Sequence, residues 1–326
     1  MFLYRVYNGL KKYLKGYYAY GKAIDGMNPY SFVLDGIWCF MRYGCVFNQF
    51  TEGGFYKYRA YQRKKILTYR NWKKLVKVNA PADVHYFKNK VDFNTFYKDF
   101  VGRDWLNSAT MTEAEFKQFA NKHARAIVKP IDDWEGNGIS MIKITPPENN
   151  IRELYNELKA KHVLIEEVVV QHPQMVFNNS SVNTIRVYSV YDDVERKAYI
   201  IKTTLRAGVG KSIVDNSHSG GCSYEIDIDT GRIDSYGWSH TLTNLMFHPG
   251  TDMCMLGREI PHWNEVKAMV RRAAEMMPSV KFIGWDVAIL ENGPILIEGN
   301  HDPDLDIMEF IGHPGYLPII RKHIKF

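Results

Sequence analysis

Cysteine is scarce: four residues, Cys39, Cys45, Cys222 and Cys254, in a chain of 326, with no Cys-x-x-Cys spacing. That excludes a dense disulfide framework, argues against a structural zinc site and fits a reducing cytoplasm. No apolar run reaches the roughly 18 to 20 residues of a membrane span. The opening stretch, MFLYRVYNGLKKYLKGYYAYGK, lacks both a continuous apolar segment and a small-residue cleavage site, so no secretory signal is expected. Internal repeats and low-complexity tracts are missing. With 45% hydrophobic and 24% charged residues the composition is not that of a disordered chain. Neither GxxxxGKS/T nor GxGxxG occurs, which removes the P-loop and the dinucleotide fingerprint.

Acidic residues are nearly missing from the first 90 positions, which hold 4 of them against 17 Lys and Arg and also carry 13 of the 21 tyrosines. The remainder holds 32 acidic and 25 basic residues. This asymmetry suggests two subdomains with different jobs. Residues 1–24 read as a basic amphipathic helix, with glycines at 9, 16 and 21 counting against it. For residues 29–80, rich in aromatic and basic side chains, two readings stay open. One is helices packed on a main domain, with lysine stems covering apolar surface. The other is a peripheral contact with anionic lipid or a lipid-linked substrate at the inner face of a membrane. No nucleic-acid motif is present, so nucleic acid is not an expected partner.

From about residue 85 strands and helices alternate. Thr112 and Glu115 form a capping-box spacing at the start of a helix. Residues 126–144 read as a hairpin, 151–161 as a helix, and HVLIEEVVV as a strand. NTIRVYSVYD, KAYIIKTTLRA and CSYEIDIDTGRIDS read as further strands, and NEVKAMVRRAAEMMP as a helix. FIGWDVAIL and GPILIEGN form a last hairpin around Glu291-Asn292-Gly293. The fold class is α+β with a large antiparallel component. Residues 1–84 are expected as a mainly helical N-terminal region. Residues 85–326 are expected as one domain with subdomains near 110–170 and 171–326.

The last hairpin carries the strongest chemical signal. Glu298 and Asn300 are two apart on one strand and share a face, and Asp286 can pair opposite them. Two carboxylates and an amide oxygen on otherwise apolar strands suit Mg²⁺ bound together with nucleotide phosphates. A second, weaker signal is Lys129 at a strand end, followed by the glycine turn containing Gly136 and Gly138.

The ordered set AIVKP, WEGNG, LIEEVVVQHP, NTIRV, VDNSHSGG, GWDVAI and GPILIEGN resembles the ATP-grasp superfamily over roughly residues 85–315. It looks most like the sugar-transfer-associated group found with bacterial surface-polysaccharide genes. The resemblance implies two α+β subdomains gripping ATP. It assigns Lys129 and Lys90 to the nucleotide phosphates, and Gly136 and Gly138 to the loop over them. It assigns Glu166, Glu167, Val168 and Val169 to the hinge that reads adenine. Gln171 or His172 stands where an acidic ribose ligand is usual. Asp286, Glu298 and Asn300 match the ligands of Mg²⁺, two ions in this superfamily. Gly284 stands where related ligases place an arginine, so charge stabilisation falls to Arg186, Lys202 and Arg206; ordinary sheet-surface charges are the alternative for these three.

The implied activity is an ATP-dependent carboxylate–amine ligase acting through an acyl phosphate in the cytoplasm. It would join an amino acid to a sugar acid or amino sugar of a polysaccharide or capsule precursor. The alternatives are a phosphotransferase acting on a sugar-like hydroxyl, or a non-catalytic nucleotide-binding component of a membrane assembly.

Overall fold

The computed structural model describes residues 2–132, 138–144, 148–177, 181–210, 220–239 and 243–326. The chain divides into two compact units, residues 1–78 with 304–326, and residues 79–303.

The first unit is helical. Helices α1 (Phe2–Lys22) and α2 (Pro29–Tyr43) lie against each other. Asn28 caps α2 by accepting from the amides of Tyr30 and Ser31, Pro29 starts it, and left-handed Gly44 ends it. Tyr17, Phe32, Cys39, Phe50 and Phe55 form the core. Helix α1 runs through its glycines because close packing needs one of them: a Cβ at Gly21 would lie 2.8 Å from Phe32. The C-terminal segment belongs to this unit and not, as expected, to the domain beginning near residue 85. Buried Glu309 accepts from the amides of Leu67, Gly315 and Tyr316, and Leu317 donates to the carbonyl of Lys65. Periodicity cannot reveal such a return across more than 200 residues, because it reads only neighbours along the chain.

Among its described residues the second unit holds two antiparallel sheets. The smaller has the order β1-β4-β2-β3, built from β1 (Trp105–Asn107), β2 (Arg125–Pro130), β3 (Ser140–Lys143) and β4 (Val163–Glu167). Helices Glu113–Lys122 and Glu148–Lys159 supply Phe116, Phe119, Ile151 and Leu158 to its apolar core. The capping box forms: the Glu115 amide donates to Thr112 Oγ1 and the Thr112 amide to Glu115 Oε2. Strand β4 is shorter than HVLIEEVVV predicts. It stops at Glu167, where its partners β1 and β2 also end, and Val170 is exposed.

The larger sheet has the order β11-β10-β5-β6-β7-β8-β9 among the described residues. Its strands are β5 (Thr184–Asp192), β6 (Lys197–Ala207), β7 (Cys222–Glu225), β8 (Gly237–Trp238), β9 (Thr243–Leu245), β10 (Phe282–Leu290) and β11 (Gly293–Asn300). One face is apolar. Ile185, Val187, Leu205, Trp285 and Val287 pack with Val266, Val270 and Ala273 of helix Trp263–Glu275. Burying one such side chain contributes about 1.5 to 3 kcal/mol, so this face anchors the sheet. The other face is charged and carries the site.

Candidate active site

Strand register sets the charged face. Glu298 stands opposite Asp286, Asp286 opposite Arg186, Arg186 opposite Thr204 and Thr204 opposite Glu225, one row across five strands. Lys202 and Arg206 flank it on β6, opposite Tyr188 and Thr184.

Two β-bulges produce this row. Counted back from the turn pair Leu290↔Gly293, a regular ladder would set Asp286 opposite Ile297 and turn Glu298 to the apolar face. The register shift between Asp286 and Val287 brings Glu298 opposite Asp286. Counted from Asp192↔Lys197, a regular β5–β6 ladder would set Lys202 opposite Val187, on the apolar side. The shift between Tyr188 and Ser189 returns Lys202, Thr204 and Arg206 to the charged face.

Asp286 is buried and held by two guanidiniums. Arg186 Nε donates to Oδ1 at 2.6 Å and its Nη2 to Oδ2 at 3.1 Å, and Arg206 Nη1 donates to Oδ2 at 2.8 Å. Burial alone would raise this carboxyl, but Arg186 and Arg206 overcome it and hold Asp286 below the ordinary carboxylate range. Glu298 moves the other way: burial and the neighbouring Asp286 charge push it above the ordinary range, against the pull of Lys129. Two carboxylates this close compete for one proton, and a divalent cation relieves the same repulsion. Asn300 completes an all-oxygen donor set, and its buried Nδ2 has no hydrogen-bond partner among the described residues. These donors fit a hard cation such as Mg²⁺.

Lys129 reaches from β2 to the same place. Its Nζ lies 2.6 Å from Glu166 Oε2 and its charge acts on Glu298. Glu166 is the buried centre of a second cluster. Arg103 Nη2 and Nε donate to its Oε1 at 2.6 and 3.0 Å, and Asn94 Nδ2 at 3.1 Å. Burial would raise Glu166, but Arg103 and then Lys129 hold it below the ordinary range. Arg103 also donates to the carbonyls of Leu296 and Ile297 on β11. It therefore ties the end of β4 to the strand that carries Glu298. Sequence reasoning missed Arg103 and Asn94, which lie in helical and loop segments outside any motif. A lone arginine in FVGRDW gives no signal of a burial partner 63 residues away.

The other expected residues fall as follows. Lys90 opens helix Lys90–Phe96 behind its Asn89 cap, and its amide donates to the Ile131 carbonyl, beside the end of β2. Gly138 has φ +71°, and a Cβ there would meet Pro130 at 2.8 Å, so this turn requires glycine. Gly136 lies outside the described residues. Glu167 accepts from the Asp104 amide, and Val168 and Val169 follow it as non-strand backbone. Gln171, at the position where an acidic ribose ligand is usual, pairs with the backbone of Asn183. Its Nε2 donates to the Asn183 carbonyl at 2.6 Å and its Oε1 accepts from the Asn183 amide at 2.7 Å, so the side chain anchors the entry to β5. His172 Nδ1 accepts from the Gln174 amide, capping a short turn. Lys202 is fully buried, with Glu225 Oε2 at 3.4 Å. Arg186 and Arg206 are not surface charges; both are committed to Asp286.

The arrangement gathers Arg103, Lys129, Arg186, Lys202 and Arg206 with Glu166, Glu225, Asp286 and Glu298 at a poorly hydrated face. Such a preorganised field suits a polyanion.

A family model described as sugar-transfer associated ATP-grasp matches residues 70–325. No curated protein matches the chain. Among solved structures, the ATP-grasp ligase PsnB, complexed with a phosphomimetic variant of its minimal precursor, Mg and ADP, aligns at TM-score 0.45 and 14% identity over 76% of this chain and 60% of that one. D-alanyl-alanine synthetase A from Vibrio cholerae aligns at TM-score 0.43 and 13% identity over 75% of this chain and 62% of that one. The chain thus spans about three fifths of the length of these proteins.

Proposed function

Because the chain belongs to the sugar-transfer associated ATP-grasp family, we propose that it is an ATP-dependent ligase whose active site is the charged face of the larger sheet. The observation that supports this most is the row Glu298–Asp286–Arg186, with Lys129 brought to Glu298 from the smaller sheet. Asp286, Glu298 and Asn300 would hold Mg²⁺. The ion would neutralise phosphate charge and orient the γ-phosphoryl group.

The remaining steps fall to the chain's own groups. Lys129 and Lys90 contact the nucleotide phosphates, Gly138 lies over them, and the backbone of Glu166 to Val169 receives adenine. The substrate carboxylate attacks the γ-phosphorus and ADP departs, leaving an acyl phosphate. An amine then attacks the acyl carbon, loses a proton, and inorganic phosphate leaves. Two anions must approach each other in the first step. Arg186, Arg206 and Lys202 offset that repulsion from a fixed, water-poor face, where such charges act most strongly. No protein nucleophile is required. Buried Cys222, the cysteine on this sheet, has its thiol pushed up to about 11 by burial, so it is no thiolate.

In finer detail, the substrates are an amino acid and a sugar acid or amino sugar of a cell-surface polysaccharide precursor. The test is release of ADP and inorganic phosphate from MgATP, screened over amino acids paired with sugar acids. Ligation needs both co-substrates and liberates phosphate. Phosphate retained on a single co-substrate would instead identify a phosphotransferase.

A further inference from the structure

Helix α2 is apolar on two sides. Phe32, Gly36 and Cys39 turn inward and are buried. On the outward side Tyr30, Leu34, Trp38 and Met41 follow at spacings of four, four and three, a single stripe, and are 68%, 68%, 55% and 58% exposed. Phe40 flanks the stripe and is also exposed. A helix at a protein surface normally carries polar residues on that side. One exposed leucine is ordinary, but a continuous aromatic and aliphatic stripe marks a binding surface.

The charge around the stripe indicates what it binds. This unit, residues 1–78 with 304–326, holds 18 Lys and Arg against 6 Asp and Glu. At one end of the stripe Tyr18 meets Tyr30 edge-on at 5.2 Å, and Lys22 is exposed nearby on α1. At the other end Arg42 is exposed, and Arg70 Nη2 donates to the carbonyls of Phe40 and Met41 at 2.8 and 3.1 Å.

We propose that the outward face of α2 docks on an anionic lipid bilayer. Leu34, Trp38 and Met41 enter the boundary between headgroups and acyl chains, and the surrounding cations pair with lipid phosphates. Tryptophan and tyrosine favour that boundary, and basic residues are drawn to anionic headgroups. Among the described residues no helix is long and apolar enough to cross a membrane, so the contact is with the surface. A second copy of the chain is the weaker occupant. A two-fold dimer through this stripe would bring two units of net charge +12 face to face. The inference is independent of the ligase reading.

The test is flotation of the full chain with vesicles of phosphatidylglycerol and phosphatidylcholine, at low and high salt, beside vesicles of phosphatidylcholine alone. The wild type should float with the anionic vesicles at low salt and be released by high salt. The double substitution Leu34→Ser, Trp38→Ser should lower the bound fraction at least about tenfold while leaving the thermal unfolding transition in place. Sedimentation of both proteins without lipid reports self-association. The proposal is overturned if the wild type does not bind anionic vesicles. It is overturned if the double variant, still folded, binds as well as the wild type, since charge alone would then suffice. A wild-type dimer that the double substitution turns into a monomer also overturns it, assigning the stripe to a second copy.

Discussion

Glu166→Gln exposes the charge logic of the site most directly. Glu166 is buried and receives two hydrogen bonds from Arg103, one from Asn94 and an ion pair from Lys129. Glutamine keeps the shape but removes the negative charge, and its amide NH₂ must face either a guanidinium or an ammonium. Removing one partner of a buried ion pair costs about 3 to 5 kcal/mol. Arg103 retains the carbonyls of Leu296, Ile297 and Val101, and Lys129 keeps some access to water, so the lower end applies, about 3 kcal/mol. For a unit of this size that is a fall in Tm of roughly 6 to 12 °C. The pH dependence has a defined sign. A carboxyl held below its unfolded value contributes its full stability above that value and loses it as pH falls toward the folded one. The gap between wild type and variant should therefore be constant near neutrality and shrink as pH drops below about 4.3. Thermal unfolding followed by circular dichroism from neutral to acid pH measures it. Equal Tm values near neutrality, or a gap that does not shrink in acid, would refute the reasoning.

Three further outcomes follow from neighbouring contacts. Glu298→Gln should cost less stability than Asp286→Asn, because burial and the Asp286 charge already work against the Glu298 carboxylate, and should lower ADP formation by at least about 100-fold; turnover at the wild-type rate would remove Glu298 from the site. Asp286→Asn should lose activity and stability together, about 3 kcal/mol by denaturant titration, because two buried guanidiniums lose their counter-charge. Gly299→Ala places a methyl 2.9 Å from Phe87 and 3.0 Å from Phe93, between Glu298 and Asn300; a loss of about 1 to 3 kcal/mol is expected, and a variant as stable as the wild type would show that β11 is less tightly seated.

Much of the site was legible because its residues lie in short motifs. GWDVAI and GPILIEGN gave both strands of the carboxylate hairpin, and AIVKP placed Lys129 at a strand end. The shared face of Glu298 and Asn300 followed from the two-residue period. The register did not, since a bulge depends on which side chains fill the core and not on the alternation itself. Glu166 was read through its hinge backbone, while its side chain turned out to centre a buried ion cluster. Arg103 and Asn94 complete that cluster from far along the chain, where only tertiary contact reveals them. Gln171 stands after the hinge where an acidic ribose ligand is usual; the residue it pairs with, Asn183, lies in a loop entry with no pattern of its own.

The bulges at Ile201 and Ile297 have a consequence for how these hairpins tolerate changes in length. Each works as an expansion joint. On the inner side, register is fixed by pairing with the central strands; on the outer side, by the turn. An added or lost residue at the joint can be absorbed without changing which way the inner side chains face. Deleting Ile297 would leave a flush ladder with Val287 still opposite Leu296 and Asp286 still opposite the glutamate. Deleting Gly299 has no such remedy, because it lies on the inner side and would carry Asn300 to the opposite face. Length variation is therefore expected at the joints and turns, and the 290–293 turn is a permissive point for grafting a peptide or a reporter domain.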